Sequence, residues 1–262
     1  MRIKNSIINL IYIWGSTLLI ALLSLVTRRL FLDSLRIDYL GYDGLFTSIF
    51  SFLTLSEMGI AGIITYHMYS EIAADNKEQI CKLLYMYKQI YKIVGLFVLA
   101  AGTIVSFFLP VILRDNQDSW GFIYTIYFLQ LLATLCTYFL AYRRILFITH
   151  QKIYFCTMVD TIVTIVSTFL KMAVLVWMKD YIVYLLIGIL ANVISNAIIA
   201  WQSRISFPEI VKTKVTKEDF KKLNLWYDVK NMMATKIAGT IYGSSDSIIM
   251  TMSGILSQES IQ

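Results

Sequence analysis

Residues 27–69 read TRRLFLDSLRIDYLGYDGLFTSIFSFLTLSEMGIAGIITYHMY. Arg28 and Arg29 close one apolar segment, and a charge-balanced connection leads into a second that contains Glu57 and His67. Ionisable groups in a stretch apolar enough to cross a bilayer are costly unless they face protein or water. The stretch therefore marks a membrane protein with a polar interior. Gly41 and Gly44 predict a tight turn between Arg36 and Gly44.

The rest of the chain agrees with this reading. Apolar residues make up 58% of it and charged residues 15%, with a mean hydropathy of +0.67, which sets aside a water-soluble domain of ordinary composition. A spanning helix needs roughly 20 apolar residues to cross about 30 Å of hydrocarbon. Six stretches meet that requirement: residues 6–27, 45–69, 90–113, 120–142, 153–178 and 181–201. A seventh, 231–256, is long enough but carries Lys236, Asp246 and many Ser and Gly residues. The expected fold is an all-α polytopic transmembrane helix bundle. It divides into a six-helix lobe over 1–202, a cytoplasmic amphipathic linker over 203–230 and, over 231–262, the first helix of a second lobe.

Basic residues set the orientation, because the cytoplasmic side of short loops collects them. With the amino terminus inside, inward segments hold Lys77, Lys82, Lys88, Lys92, Arg143, Arg144, Lys152 and the run from Arg204 to Lys230. Outward segments hold only Arg28, Arg29, Arg36, Arg114 and Lys179. The amino terminus is thus expected in the cytoplasm, and topology accounts for the net charge of +6 without nucleic-acid binding. The first span is too long for a cleaved signal sequence and lacks a small-residue cleavage pattern. Cys81, Cys136 and Cys156 have no close pair spacing, so neither a disulfide frame nor a metal site is indicated, and no cofactor is expected. Outer loops of a few residues, at 114–119 and 179–181, leave no room for a catalytic site, so the chain is not read as an enzyme.

Charges inside the spans are the candidate functional groups. Arg28 and Arg29 fall near the outer boundary; they either snorkel to headgroups or turn inward to meet a phosphate. Lys171 follows hydroxyls at Thr161, Thr164, Ser167 and Thr168, a setting that suits an anionic substrate, with outward snorkelling past Trp177 as the alternative. Asp160 shares a helical face with Lys171 but lies about 16 Å away at the helical rise, too far to pair with it. Glu57 and Asp246 are candidates for ion coupling or for structural pairing, and Asp160 joins them in that role. Two amphipathic stretches, one with Ile80, Leu83, Leu84, Tyr87 and Tyr91, the other with Phe220, Leu223, Trp226 and Tyr227, read as helices on the membrane surface.

The arginine pair, then Tyr39, Leu40 and Gly41, Gly44 and Leu45, and the run Leu55, Ser56, Glu57, Met58, Gly59, Ile60, resemble the amino-terminal signature of Wzx-type polysaccharide flippases. These belong to the MATE-like transporter superfamily. The run at Asp246, Ile248 and Ile249 is similar to the start of the second lobe in the same family, and the match fades past Gly254. The resemblance covers one lobe and one further helix, so the chain is expected to be the amino-terminal half of a two-lobed transporter, a fragment or a truncated product.

What the resemblance implies is a flippase in the bacterial inner membrane. It would carry undecaprenyl-pyrophosphate-linked oligosaccharide repeat units to the outer leaflet for O-antigen, lipopolysaccharide or capsule biosynthesis. Its partners would be the lipid-linked oligosaccharide, membrane lipids and the polysaccharide polymerase machinery. Arg28, Arg29, Lys171 and Lys236 would then be headgroup contacts in a cationic cavity. Two alternatives stay open: a multidrug or cation antiporter of the same superfamily, which would favour an acidic cavity, and an inactive fragment that inserts as half a bundle.

Overall fold

A computed structural model describes residues 2–54, 60–113 and 118–212. Among them the chain is helical throughout, without a strand: α1 (Arg2–Ser34), α2 (Ile37–Thr54), α3 (Ile60–Ala73), α4 (Lys77–Ser106), α5 (Leu109–Ile112), α6 (Trp120–Leu140), α7 (Arg144–Thr149), α8 (Ile153–Trp177), α9 (Tyr181–Ser206) and α10 (Pro208–Lys212). A 3-10 turn, Ala141–Arg143, joins α6 to α7. Five helical segments are long and apolar enough to cross a bilayer: Ile7–Ser34, Lys77–Ser106, Trp120–Thr149, Ile153–Trp177 and Tyr181–Ser206. The protein is an all-α polytopic membrane bundle.

The helices pack in a chain of neighbours, α1 on α8, α8 on α9, α9 on α6, α6 on α4 and α4 on α3, with α2 against α4 and α6. The core lies where α2, α3, α4, α6 and α7 meet, around the fully buried Phe46, Ile64, Met68, Val98, Ile126 and Leu146. At the edge, α1 leaves Leu10, Trp14, Leu18, Leu22 and Leu25 exposed, an apolar surface suited to hydrocarbon. Asn9 fastens α1 to the start of α8: its amide donates to the Gln151 carbonyl at 3.2 Å and its oxygen accepts from the Tyr154 N–H at 2.9 Å. That second bond satisfies a first-turn amide of α8 that Lys152, at the N-cap, does not.

Tight corners set the helix boundaries. Asp75, Gln151 and Lys179 each adopt positive φ. After the first two, the next amide returns to a carbonyl one turn back, Asn76 to Glu71 at 2.9 Å and Lys152 to Phe147 at 2.7 Å, the bond that ends a helix in a Schellman motif. Asn76, Ser119 and Asp180 then cap the helices that follow, accepting from Gln79, from Phe122, and from both Ile182 and Val183. The span expected at 153–178 is thus observed as α8, and that at 181–201 as α9, which continues to Ser206.

Elsewhere the structure differs from the sequence reading. The turn expected between Arg36 and Gly44 lies earlier, at Leu35 and Arg36; α2 already runs through Gly41 and Gly44. The reason is electrostatic. Asp38 sits in the first turn of α2, where the helix dipole favours an anion. Arg36 pairs with it at 2.5 Å and with Asp118 at 2.9 Å, which ties the start of α2 to the connection before α6. The second span appears as two helices, α2 and α3, on either side of residues 55–59, which include Glu57 and lie outside the described residues. The third ends earlier than expected, with α4 stopping at Ser106 and Pro110 lying in the first turn of the separate α5, although α4 begins well before residue 90, at Lys77. The stripe Ile80, Leu83, Leu84, Tyr87 and Tyr91, expected on the membrane surface, is buried in the core. At about 45 Å, α4 is longer than the hydrocarbon is thick, so its first turns pack on protein beyond it. The linker from 213 and the seventh span, with Lys236 and Asp246, lie outside the described residues.

Two close approaches give predictions. The backbone of α4 meets α6 at Gly102, where a Cβ would stand 2.8 Å from Leu131 Cδ1, and its carbonyl accepts from Tyr127 Oη at 2.7 Å. Gly102→Val should overpack this contact and cost about 1–3 kcal/mol, read as a lower unfolding midpoint in detergent. At the other corner, α10 returns to α4 through Lys77 and Glu209, 2.5 Å apart. Lys77 holds the Glu209 carboxyl below its usual range, and burial holds the His150 imidazole, 4.5 Å from the Phe207 ring, below its own. Both groups bind fewer protons folded than unfolded, so their stabilisation is present above their unfolded pKa values and lost as pH falls. Acidification from neutrality should therefore speed amide exchange at Phe207 and Ile210 before it affects α6, as hydrogen-exchange mass spectrometry can check.

Candidate functional site

Two groups of polar side chains occupy an otherwise apolar bundle, one toward each end. The first is built from α2, α6, α8 and α9. Asp43 projects from α2 and its Oδ1 accepts from Gln130 Nε2 at 2.8 Å and from Tyr181 Oη at 3.1 Å. Gln130 is 9% exposed and Tyr181 2%, so the carboxylate is held by two buried polar groups. Aromatic rings fix this end. Tyr181 stacks on Tyr39 at 5.4 Å and meets the edge of Phe31, while Tyr127 packs between Phe46 and Phe50 at 5.1 Å from each.

Lys171 joins this group from α8. Its Nζ lies 4.7 Å from the centroid of the Tyr184 ring, a cation–π contact, and passes over the α9 backbone at Gly188, where a Cβ would be 3.1 Å away. It feels the charge of Asp43 without pairing with it directly. The sequence reading singled out Lys171 but not this environment; of the hydroxyls before it on α8, Thr161 donates to Thr157 and Ser167 to Thr164 within their own helix.

Below Asp43 a cavity of ≈ 410 Å³ follows α2 and α6, lined by Asp43, Thr47, Ser51, Gln130, Thr134 and Thr137, with Phe50, Ala133 and Tyr138 completing it. Polar groups within an apolar bundle are tolerated where they face protein or a hydrated space.

The second group lies toward the opposite end. Arg144, at the start of α7, donates to both oxygens of Asp160 on α8, at 2.6 and 2.8 Å, and to Ser195 and Asn196 on α9 at 3.1 and 2.8 Å. Ser195 also bonds to Asp160, and Asn196 Nδ2 donates to Asn192 Oδ1 at 2.6 Å. Four N–H bonds from the fork reach α8 and α9. Beside it, Arg143 and Lys88 flank the Tyr142 ring at 5.6 and 5.5 Å. Asp160 is thus placed in an ion pair and away from Lys171.

The described candidate residues are therefore dispersed. Arg28 and Arg29 are exposed on α1, Lys171 is half-buried beside Tyr184, and Asp160 is bound to Arg144. Asp43, Gln130, Tyr181 and Arg144 were not singled out by the sequence reading. Asp43 was hidden by its place in a presumed loop, and Arg144 by its agreement with the expected inward charges. A glutamine at the centre of an apolar 21-residue segment was the signal available for Gln130.

No protein-family model, curated protein or solved structure matches the chain.

The Arg144 node gives a prediction that separates pairing from packing. Removing one partner leaves the other charge uncompensated, whereas removing both does not. Arg144→Leu alone should lower stability by about 1–3 kcal/mol, the range for charged hydrogen bonds with a partly exposed partner, and Arg144→Leu with Asp160→Leu should recover part of the loss. A double mutant no better than the single one, in denaturant unfolding, would contradict the pairing.

Proposed function

We propose that the chain is the amino-terminal lobe of a polysaccharide flippase, translocating lipid-linked oligosaccharide repeat units across the bacterial inner membrane. The observation that carries this reading is the polar cavity between α2 and α6, set within an otherwise apolar bundle. Sugars and a pyrophosphate cannot cross hydrocarbon, whereas a polyprenyl tail can remain in it. A hydrated cavity within a helix bundle meets that requirement, and repeat-built transporters place their sites near mid-membrane between halves. The signature around Arg28, Tyr39 and Gly59 adds the resemblance to Wzx-type members of the MATE-like superfamily. The amino terminus is read as cytoplasmic, as the distribution of basic residues suggests.

In this reading Lys171, with Arg28 and Arg29 nearer the lipid, remains a candidate contact for the pyrophosphate headgroup. The Lys171 ammonium is set against Tyr184 and near Asp43, which holds a cation inside the bundle without neutralising it through a direct bond. One observation favours a second reading. Among the described residues lining the cavity is a carboxylate, Asp43, and none is cationic. An antiporter of organic cations would suit that wall, although Lys171 offsets part of the Asp43 charge.

Expressed with its full reading frame in a strain lacking its own flippase, the protein should restore surface polysaccharide. Lys171→Ala should reduce that restoration about tenfold or more, as expected if about 1.4 kcal/mol of headgroup contact is lost, and Lys171→Arg should retain most of it. Restoration unaffected by Lys171→Ala would remove this lysine from the substrate path. Resistance to lipophilic cations without any polysaccharide would favour the antiporter.

A further inference from the structure

The exposed face of α4 changes character along its length. Lys88 and Lys92 stand one turn apart and are both exposed; one turn further along the same row comes Leu96, 50% exposed, and then Leu99 at 40%. Phe139 on α6 continues the apolar part: it is 40% exposed, and its ring lies over the α4 backbone at Gly95, where a Cβ would stand 3.1 Å from Phe139 Cζ. The outer surface of the two helices is therefore apolar along most of its length and gives way at one end to ammonium groups. A phospholipid has the same order of parts, acyl chains and then a charged headgroup.

A third cation completes that end. Arg143, in the turn after α6, lies by the same Tyr142 ring as Lys88, so the turn and α4 bring two like charges to one side chain. Arg143 Nε donates to Tyr142 Oη and its Nη1 to the Ala200 carbonyl on α9, each at 3.0 Å. These partners are neutral. They fix the guanidinium but leave its charge uncompensated, and among the described residues Nη2 has no protein acceptor. Nor, among the described residues, does a carboxylate pair with Lys88, Lys92 or Arg143, whereas Arg36, Lys77, Lys82 and Arg144 each have an acid beside them. Like charges gathered without an acid repel one another, and an anion among them removes the repulsion.

We propose that Lys88, Lys92 and Arg143 hold the phosphate of an anionic bilayer phospholipid whose acyl chains lie along Leu96, Leu99 and Phe139. The guanidinium supplies a directed donor to the phosphate oxygens, and the two lysines supply mobile charge. A soluble anion would leave the apolar part of the surface unused, which selects a diacyl lipid. Because Arg143 is bonded to α9 and Lys88 projects from α4, a lipid held by both tethers two helices to the headgroup layer. The site is separate from the Asp43 cavity and does not depend on the transport reading.

The test uses the full chain in a neutral detergent and native mass spectrometry with dioleoylphosphatidylglycerol and dioleoylphosphatidylcholine, which share acyl chains and differ in headgroup charge. Phosphatidylglycerol should give a saturable adduct, and phosphatidylcholine a weaker one. Lys88→Gln and Arg143→Gln should each weaken the phosphatidylglycerol adduct about fivefold, as expected when one basic residue leaves an anionic surface. Lys179→Gln, the same charge change beside Tyr181 at the other end of the bundle, should leave it unchanged. Circular dichroism establishes that each variant is folded, and Lys88→Gln, at an exposed position, carries the test if Arg143→Gln does not fold. Equal adducts with the two lipids, or a phosphatidylglycerol adduct indifferent to these substitutions, would overturn the site. Arg143-dependent binding of sodium pyrophosphate, with no preference between the lipids, would assign the cations to a soluble anion and overturn the lipid.

Discussion

Arg144 joins three helices through one guanidinium, and the cost of leaving it unpaired is the constraint on that end of the bundle. A partly buried cation gives up hydrogen bonds to water and recovers them from partners within the protein. Asp160 supplies the charge from α8, and Ser195 and Asn196 supply neutral acceptors from α9. The fork geometry makes these bonds mutually dependent: a rotation of α8 that released Asp160 would also misalign Ser195, which bonds to the same carboxylate. Apolar packing alone would let α8 and α9 slide, because lipid tails compete equally for apolar surface. The polar node gives them a register.

The same logic at the other end produces a different object. Among the described residues Asp43 is bonded on one oxygen, by Gln130 and Tyr181, and the cation that feels its charge, Lys171, turns to the Tyr184 ring. Where Arg144 closes its network, Asp43 leaves part of its capacity facing a cavity. Closed networks rigidify and open ones are available for ligands. The aromatic cluster of Phe31, Tyr39, Tyr181 and Tyr184 provides the rigidity that the open network lacks, stacking rings across α1, α2 and α9.

Much of the architecture was legible because its determinants are local. Length and hydropathy placed the helices beginning at Trp120, Ile153 and Tyr181, and the caps at Ser119 and Asp180 lie at those starts. Local rules failed where tertiary contacts decide. Gly41 and Gly44 suggested a turn, but the charges of Arg36, Asp38 and Asp118 start α2 before either glycine. The stripe on α4 has an amphipathic period that fits a lipid surface or a protein core equally, and only the packing of α3, α6 and α10 against it selects the core. The site was less legible than the fold for a related reason. An embedded charge announces itself in sequence, as Lys171 and Asp160 do, but its partner does not: Asp160 finds Arg144 rather than the lysine on its own face, and Asp43 finds a glutamine and a tyrosine from other helices.

On the proposed flippase reading, that distinction bears on how the cavity would relate to transport. A site closed by direct ion pairs would have to break them to admit a substrate, at a cost of several kcal/mol per buried charge left behind. Asp43 and Lys171 avoid that cost, since neither depends on the other for a direct bond. A neutral donor can bind Asp43 while Tyr181 and Gln130 stay in place, and the Lys171 ammonium can leave Tyr184 for an anion by rotating a flexible side chain. Loading this lobe would then need no separation of helices, which leaves the larger motion of the bundle to the step that changes access.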